Sequence, residues 1–158
     1  MRAYADTSFL VKLVLDEAGS EAAMAEFRRL DYPPLYFLPL HALEVTNAIR
    51  QRAFHLRSTI DSRQRSGIAR ERDVALVRIE RWLKRGWFIE TTADFDEALS
   101  QAMRLSAKHT ERLGSRGFDL LHVALALELQ CETFLTSDRV QGALARAEGF
   151  DVTISPDK

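Results

Sequence analysis

Four acidic residues in this chain stand where a fold would have to bury them. Asp6 closes the short extended run Arg2-Ala3-Tyr4-Ala5 and is followed at once by the hydroxyls of Thr7 and Ser8. Glu44 lies in His41-Ala42-Leu43-Glu44-Val45, Asp119 in Gly117-Phe118-Asp119-Leu120-Leu121, and Asp138 in Phe134-Leu135-Thr136-Ser137-Asp138. A buried carboxylate without a partner is costly, and two ionised ones about 5 Å apart repel by about 3 kcal/mol at an effective dielectric of about 20. A cation relieves both costs. Oxygen-only donors suit a hard ion, Mg²⁺ or Mn²⁺, better than zinc. Each acid also has a plainer reading: Asp6 and Asp138 as helix caps, Glu44 and Asp119 as first-turn acids favoured by the helix dipole. What argues for a joint site is the repetition, since Thr136-Ser137-Asp138 renews at a second strand end the acid-and-hydroxyl chemistry of Asp6-Thr7-Ser8.

The elements that would position these acids alternate between extended and helical. Strands are expected at residues 2–6, 35–38, 87–90, 133–135 and 151–154. Helices are expected at 9–15, 20–30 (capped by Ser20), 41–54, 70–85, 94–108 (capped by Asp94), 120–129 and from Ser137 or Asp138 to 148. Asp31-Tyr32-Pro33-Pro34 breaks the chain, and Gly86 ends a helix in which Leu76, Ile79 and Leu83 recur at helical spacing. Residues 58–65 and 109–117 read as connections. Phe95, Ala98, Leu99, Ala102 and Met103 read as one apolar stripe, and the almost wholly apolar stretch 120–129 as the most buried helix. Such alternation builds a parallel sheet with helices on both faces, and ligands bind such sheets at the carboxyl ends of the strands. Asp6 and Asp138 follow strands while Glu44 and Asp119 begin helices, so all four can meet at that edge.

With 158 residues, 46% of them hydrophobic and 28% charged, the chain reads as one soluble globular domain, 1–158. It shows neither a membrane-length apolar run nor a signal-peptide pattern, and its one cysteine, Cys131, suits a reducing cytoplasm. The net charge of -1 excludes a globally basic nucleic-acid binder. Locally the balance differs. Between Arg50 and Arg85 eleven bases face four acids, a positive excess that suits a polyanion held beside an acidic centre. His41, His55 and His109 share no metal-ligand spacing, and His122 reads as a packing histidine. Arg116, three residues before Asp119, can contact a phosphate or pair with the acids.

Tyr4-Ala5-Asp6-Thr7-Ser8-Phe9-Leu10, Leu43-Glu44, Asp119-Leu120-Leu121-His122-Val123-Ala124-Leu125-Ala126 and Phe134-Leu135-Thr136-Ser137-Asp138 together resemble the successive motifs of a PIN-domain nuclease, and most closely a VapC-type toxin of a bacterial toxin–antitoxin pair. The resemblance implies a three-layer α/β/α sandwich around a central, mainly parallel sheet of about five strands. It implies an endoribonuclease using Mg²⁺ or Mn²⁺, with Asp6 and Asp119 as metal ligands and Glu44 and Asp138 completing the cluster directly or through water. Thr7, Thr136 and Ser137 would support the carboxylates, and Arg116 would be placed to touch RNA. The implied partners are an RNA substrate, a small cognate antitoxin and a second copy of the chain, with Phe9, Val11 and Leu15 offering a contact surface. Two other classes compete. A phosphatase of the haloacid-dehalogenase type wants a second aspartate where Ser8 stands, and a PIN-like binding module has no need of all four acids.

Overall fold

The computed structural model of the chain describes residues 2–59, 61 and 65–154. Five strands alternate with helices in the order β1 (Ala3–Ala5), α1 (Thr7–Val14), α2 (Ser20–Arg29), β2 (Leu35–Phe37), α3 (Pro39–Thr59), α4 (Arg65–Lys84), β3 (Phe88–Glu90), α5 (Phe95–Leu113), α6 (Gly117–Glu128), β4 (Thr133–Thr136), α7 (Arg139–Ala147) and β5 (Asp151–Ile154). The strands form one sheet in the order β3-β2-β1-β4-β5, and every neighbouring pair is parallel. The chain therefore starts at the centre, builds outward to one edge through β2 and β3, and returns to the other side of β1 for β4 and β5. Strand order reverses between β1 and β4, the crevice in which open α/β sheets bind ligands.

Side-chain alternation along the central strands divides the core. Ala3, Ala5 and Leu135 point into one apolar layer with Phe9, Phe27, Ile49, Ile79 and Trp82 from α1 to α4. Tyr4 and Phe134 point into the other, with Leu105, Val123, Leu125 and Leu144 from α5 to α7. This period-two partition gives the α/β/α sandwich expected of the sequence, with the sheet wholly parallel. Among the described residues no helix is long and apolar enough to cross a membrane.

Several boundaries differ from the sequence reading, each for a local reason. Helix α1 starts at Thr7, not Phe9, because Asp6 caps it by accepting from the Phe9 N–H. Helix α3 starts at Pro39, whose fixed φ suits a first helical position, so Glu44 sits in the second turn. Gly19, at φ 84°, precedes α2, and Ser20 donates its hydroxyl to the Leu15 carbonyl. The stretch 109–113 continues α5, which ends at Gly114 with φ 69°. Leu99 and Met103 are 50% and 74% exposed, and the buried stripe of α5 is Ala98, Ala102, Leu105 and His109. Of the connection expected at 58–65, Ser58 and Thr59 belong to α3 and Arg65 to α4, while residues 60 and 62–64 lie outside the described residues. Phe9 and Leu15 are buried and offer no contact surface to a partner, while Val11 is half-buried against the same layer.

Candidate functional site

The carboxyl ends of β1 and β4 are joined by side-chain hydroxyls. Asp6 accepts from the Phe9 N–H at 2.9 Å, from the Ser8 hydroxyl at 2.8 Å and from the Thr136 hydroxyl at 2.7 Å. The Ser137 N–H donates to Ser8 Oγ and the Asp138 N–H to Thr136 Oγ1, both at 2.9 Å. Burial pushes the Asp6 carboxyl above its ordinary pKa despite the nearby His122 imidazole and these hydrogen bonds. Asp138 caps α7, one oxygen accepting from the N–H groups of Val140 and Gln141.

Asp119 enters from the first turn of α6. Its Oδ2 accepts from the Arg116 N–H at 2.9 Å and lies 3.4 Å from the Arg116 guanidinium, which reaches Asp138 at 3.3 Å on its other side. Arg116 thus bridges two acids across the crevice while its side chain stays 76% exposed.

Glu44 descends from α3 onto a hydrogen-bonded chain. It accepts from the Thr7 hydroxyl at 2.6 Å and from His122 Nε2 at 2.8 Å, and His122 Nδ1 meets the Tyr4 hydroxyl at 2.8 Å. An ionised carboxylate only accepts, so His122 Nε2 donates to Glu44. Burial raises the Glu44 pKa, but the hydrogen bonds from His122 and Thr7 outweigh it and leave the group below its ordinary value. His41 stacks on His122, ring centroids 5.4 Å apart at 13°, and its Nδ1 accepts from the Leu38 N–H. Its Nε2 is buried without a partner, and burial, followed by the neighbouring His122, lowers the His41 pKa to about 3.

Asp6, Glu44, Asp119 and Asp138 all line one cavity of about 320 Å³, with Thr7, Arg116 and His122. Thr7 serves Glu44 and Thr136 serves Asp6, whereas the Ser137 hydroxyl is buried with no partner among the described residues. His122 and Tyr4, absent from the expected site, are integral to it. The sequence carried a signal for His122: three residues after Asp119 on a helix, it lies on the same face one turn along. The donors are oxygens of the kind a hard cation takes. As they stand, no group of three or more His, Cys, Asp or Glu among the described residues is arranged to hold a metal ion. Arg116 supplies positive charge between Asp119 and Asp138 instead. The donor set fits a hard cation in kind, with Arg116 as its competitor.

A wholly parallel sheet flanked by helices, with an acid-lined cavity at its switch point, defines the class of this α/β protein. The PIN domain profile matches residues 3–147, and the chain belongs to the PIN domain family, a nuclease superfamily. No curated protein matches the sequence significantly. Among solved structures, the crystal structure of PAE2754 from Pyrobaculum aerophilum superposes with a TM-score of 0.55 at 16% identity, covering 96% of this chain and 89% of that one. This likeness is one of fold.

Proposed function

We propose that the chain is a metal-dependent endoribonuclease and the toxin of a toxin–antitoxin pair. The observation that carries the nuclease reading is the convergence of four carboxylates from four different elements on one cavity in a chain of the PIN family. Asp6 and Asp119 would hold Mg²⁺ or Mn²⁺, with Glu44 and Asp138 acting directly or through water. Bound there, the cation would supply Lewis acidity that activates water and offsets charge on the scissile phosphate.

The chain's own residues do the rest. Ser8 and Thr136 hold the Asp6 carboxylate in one orientation. Tyr4 and His122 do the same for Glu44. Arg116, whose guanidinium lies between Asp119 and Asp138 and is largely exposed, would meet a phosphate oxygen with a planar pair of donors. The toxin reading is supported by the order and wording of the four motifs. An antitoxin arginine inserted into the cavity would pair with the acids as Arg116 does here. The homodimer and a cytoplasmic location belong to the same reading, the dimer surface lying elsewhere than Phe9 and Leu15.

The test is cleavage of a single-stranded RNA with Mg²⁺ or Mn²⁺, with and without EDTA, by wild type, Asp6→Asn and Asp119→Asn. Cleavage should require the cation and disappear in both variants while their circular dichroism stays native. Cleavage persisting in EDTA sinks the metal mechanism. The toxin assignment is tested apart, by co-purification with the product of the adjacent gene and cleavage assays with and without it. Equal cleavage in both samples removes the antitoxin.

A further inference from the structure

The arginine-rich segment plays no part in the acid cavity, yet the helix that begins it does. Helix α3 delivers Glu44 to the cavity and then runs on for more than ten residues. Its buried side is Val45, Ile49 and Ala53. On the outward side Leu43, Asn47, Arg50, Phe54 and Arg57 recur at spacings of four, three, four and three, and all five are exposed. Such a spacing places them in one stripe along the helix. Leu43 is 67% exposed and Phe54 is 70% exposed, unusual for side chains of that size.

Arg50, Phe54 and Arg57 also line a second cavity, of about 380 Å³, whose α4 side carries Arg72, Asp73 and Leu76. Other arginines nearby are engaged: Arg52 with Glu17 and Glu71, Arg72 with Asp73. Arg50 and Arg57 make no ion pair or hydrogen bond among the described residues. The stripe thus offers two uncommitted guanidinium groups one turn on either side of an exposed aromatic ring, with no acid among its five residues.

We propose that this face of α3 binds single-stranded RNA, the same strand whose phosphodiester lies in the acid cavity, with Phe54 stacking on a base and Arg50 and Arg57 on flanking phosphates. The inference rests on the ribonuclease reading and names where its substrate is gripped. Charge decides the occupant. A second copy meeting this stripe across a two-fold axis would set arginine against arginine, whereas a polyanion meets the guanidinium groups of Arg50 and Arg57, the acid lining this second cavity, Asp73, being already paired with Arg72. The aromatic ring between two cations selects a strand whose bases are unpaired and can stack. Glu44 and Phe54 are about 15 Å apart along the axis at 1.5 Å per residue, so grip and cavity lie on one continuous rod.

The experiment measures binding of a fluorescein-labelled single-stranded oligoribonucleotide in EDTA, by anisotropy, as a function of salt. Wild type is compared with Phe54→Ala, Arg50→Gln/Arg57→Gln and Asp6→Asn, the first two at exposed positions. Phe54→Ala and the double variant should each raise Kd by about tenfold. The double variant should lower the slope of log Kd against log salt by about 1.4, as expected for two lost phosphate contacts on a single strand. Asp6→Asn should bind at least as tightly as wild type, because it loses a negative charge and keeps the stripe. Wild-type Kd and salt slope in both stripe variants would overturn the proposal. So would wild-type RNA binding combined with loss of the adjacent-gene partner in co-purification, which would make the stripe a protein-docking face. If wild type binds RNA through the stripe but never cleaves it, the ribonuclease reading fails and the grip stands.

Discussion

Asp6 caps a helix, ties two strand ends together and holds its carboxyl almost wholly buried. Its raised pKa means that ionising it costs stability: the folded state holds the proton more tightly than the unfolded chain does, so the penalty is present at neutral pH and relieved as pH falls. Asp6→Asn retains a capping oxygen for the Phe9 N–H, and the Ser8 and Thr136 hydroxyls can each accept from the new amide. The variant should therefore melt at or above the wild-type temperature at pH 7 while losing all cleavage. Differential scanning calorimetry beside the RNA assay reads both, and a clear loss of stability would mean that the cap alone explains Asp6.

His41 gives the opposite sign. With its pKa lowered to about 3, it stays neutral in the folded state while the unfolded chain takes up a proton near pH 6.5. Stability from this group is full above about pH 6.5 and falls toward pH 3 by up to about 1.4 kcal/mol per pH unit. His41→Asn should flatten urea-unfolding stability across that window. An unchanged pH slope would refute the assignment. At this scale the four acids were legible because strand ends and helix starts announce themselves in hydroxyls and carboxylates. The Tyr4–His122–Glu44 chain was harder to see, since it joins three elements through contacts of long sequence separation. The same holds for Arg116, whose second acid is supplied by a different strand end.

Helix ends separate capping from chemistry. Asp94 uses the same motif as Asp6, accepting from the Glu97 N–H at 3.0 Å, but on α5 and away from the cavity. Asp94→Ala should cost about 1 kcal/mol, or about 2–4 °C in Tm, and leave RNA cleavage unchanged. A fall in activity at unchanged stability would show that α5 communicates with the site. Element types and order could be read from the sequence because periodicity changes sharply at each strand. Boundaries were less legible where surface chemistry hides a helix. Thr110, Glu111 and Arg112 are simply the outward face of α5, and only His109 and Leu113 turn inward. Pro39 marked the start of α3 two residues before the apolar pattern did.

At the scale of the molecule, one strand holds both layers together. β1 sends Ala3 and Ala5 into one core and Tyr4 into the other, as β4 does with Leu135 and Phe134, and among the described residues β1 alone is bonded to both halves of the sheet. A chain ending at Gln130 keeps β1 to β3 and six helices but lacks Phe134, Leu135 and Leu144, which lie at the centre of both layers. It should show no cooperative thermal transition, as monitored by near-ultraviolet circular dichroism. A sharp transition would mean that the segment ending at Gln130 folds as an independent unit.

The pairing of β1 with β4 also has a temporal meaning. Ala3 is bonded in register with Thr133, and the Thr136 hydroxyl meets Asp6 across a sequence separation of 130 residues. During synthesis Asp6 leaves the ribosome well before Asp138, which follows nearly all of the other groups lining the cavity. Until then the carboxylate of Asp6 has neither its hydroxyl clamp nor its neighbouring acid. The acids of the cavity therefore come together only after β4 has paired with β1, so the site is assembled by a contact of long range and not by any local segment.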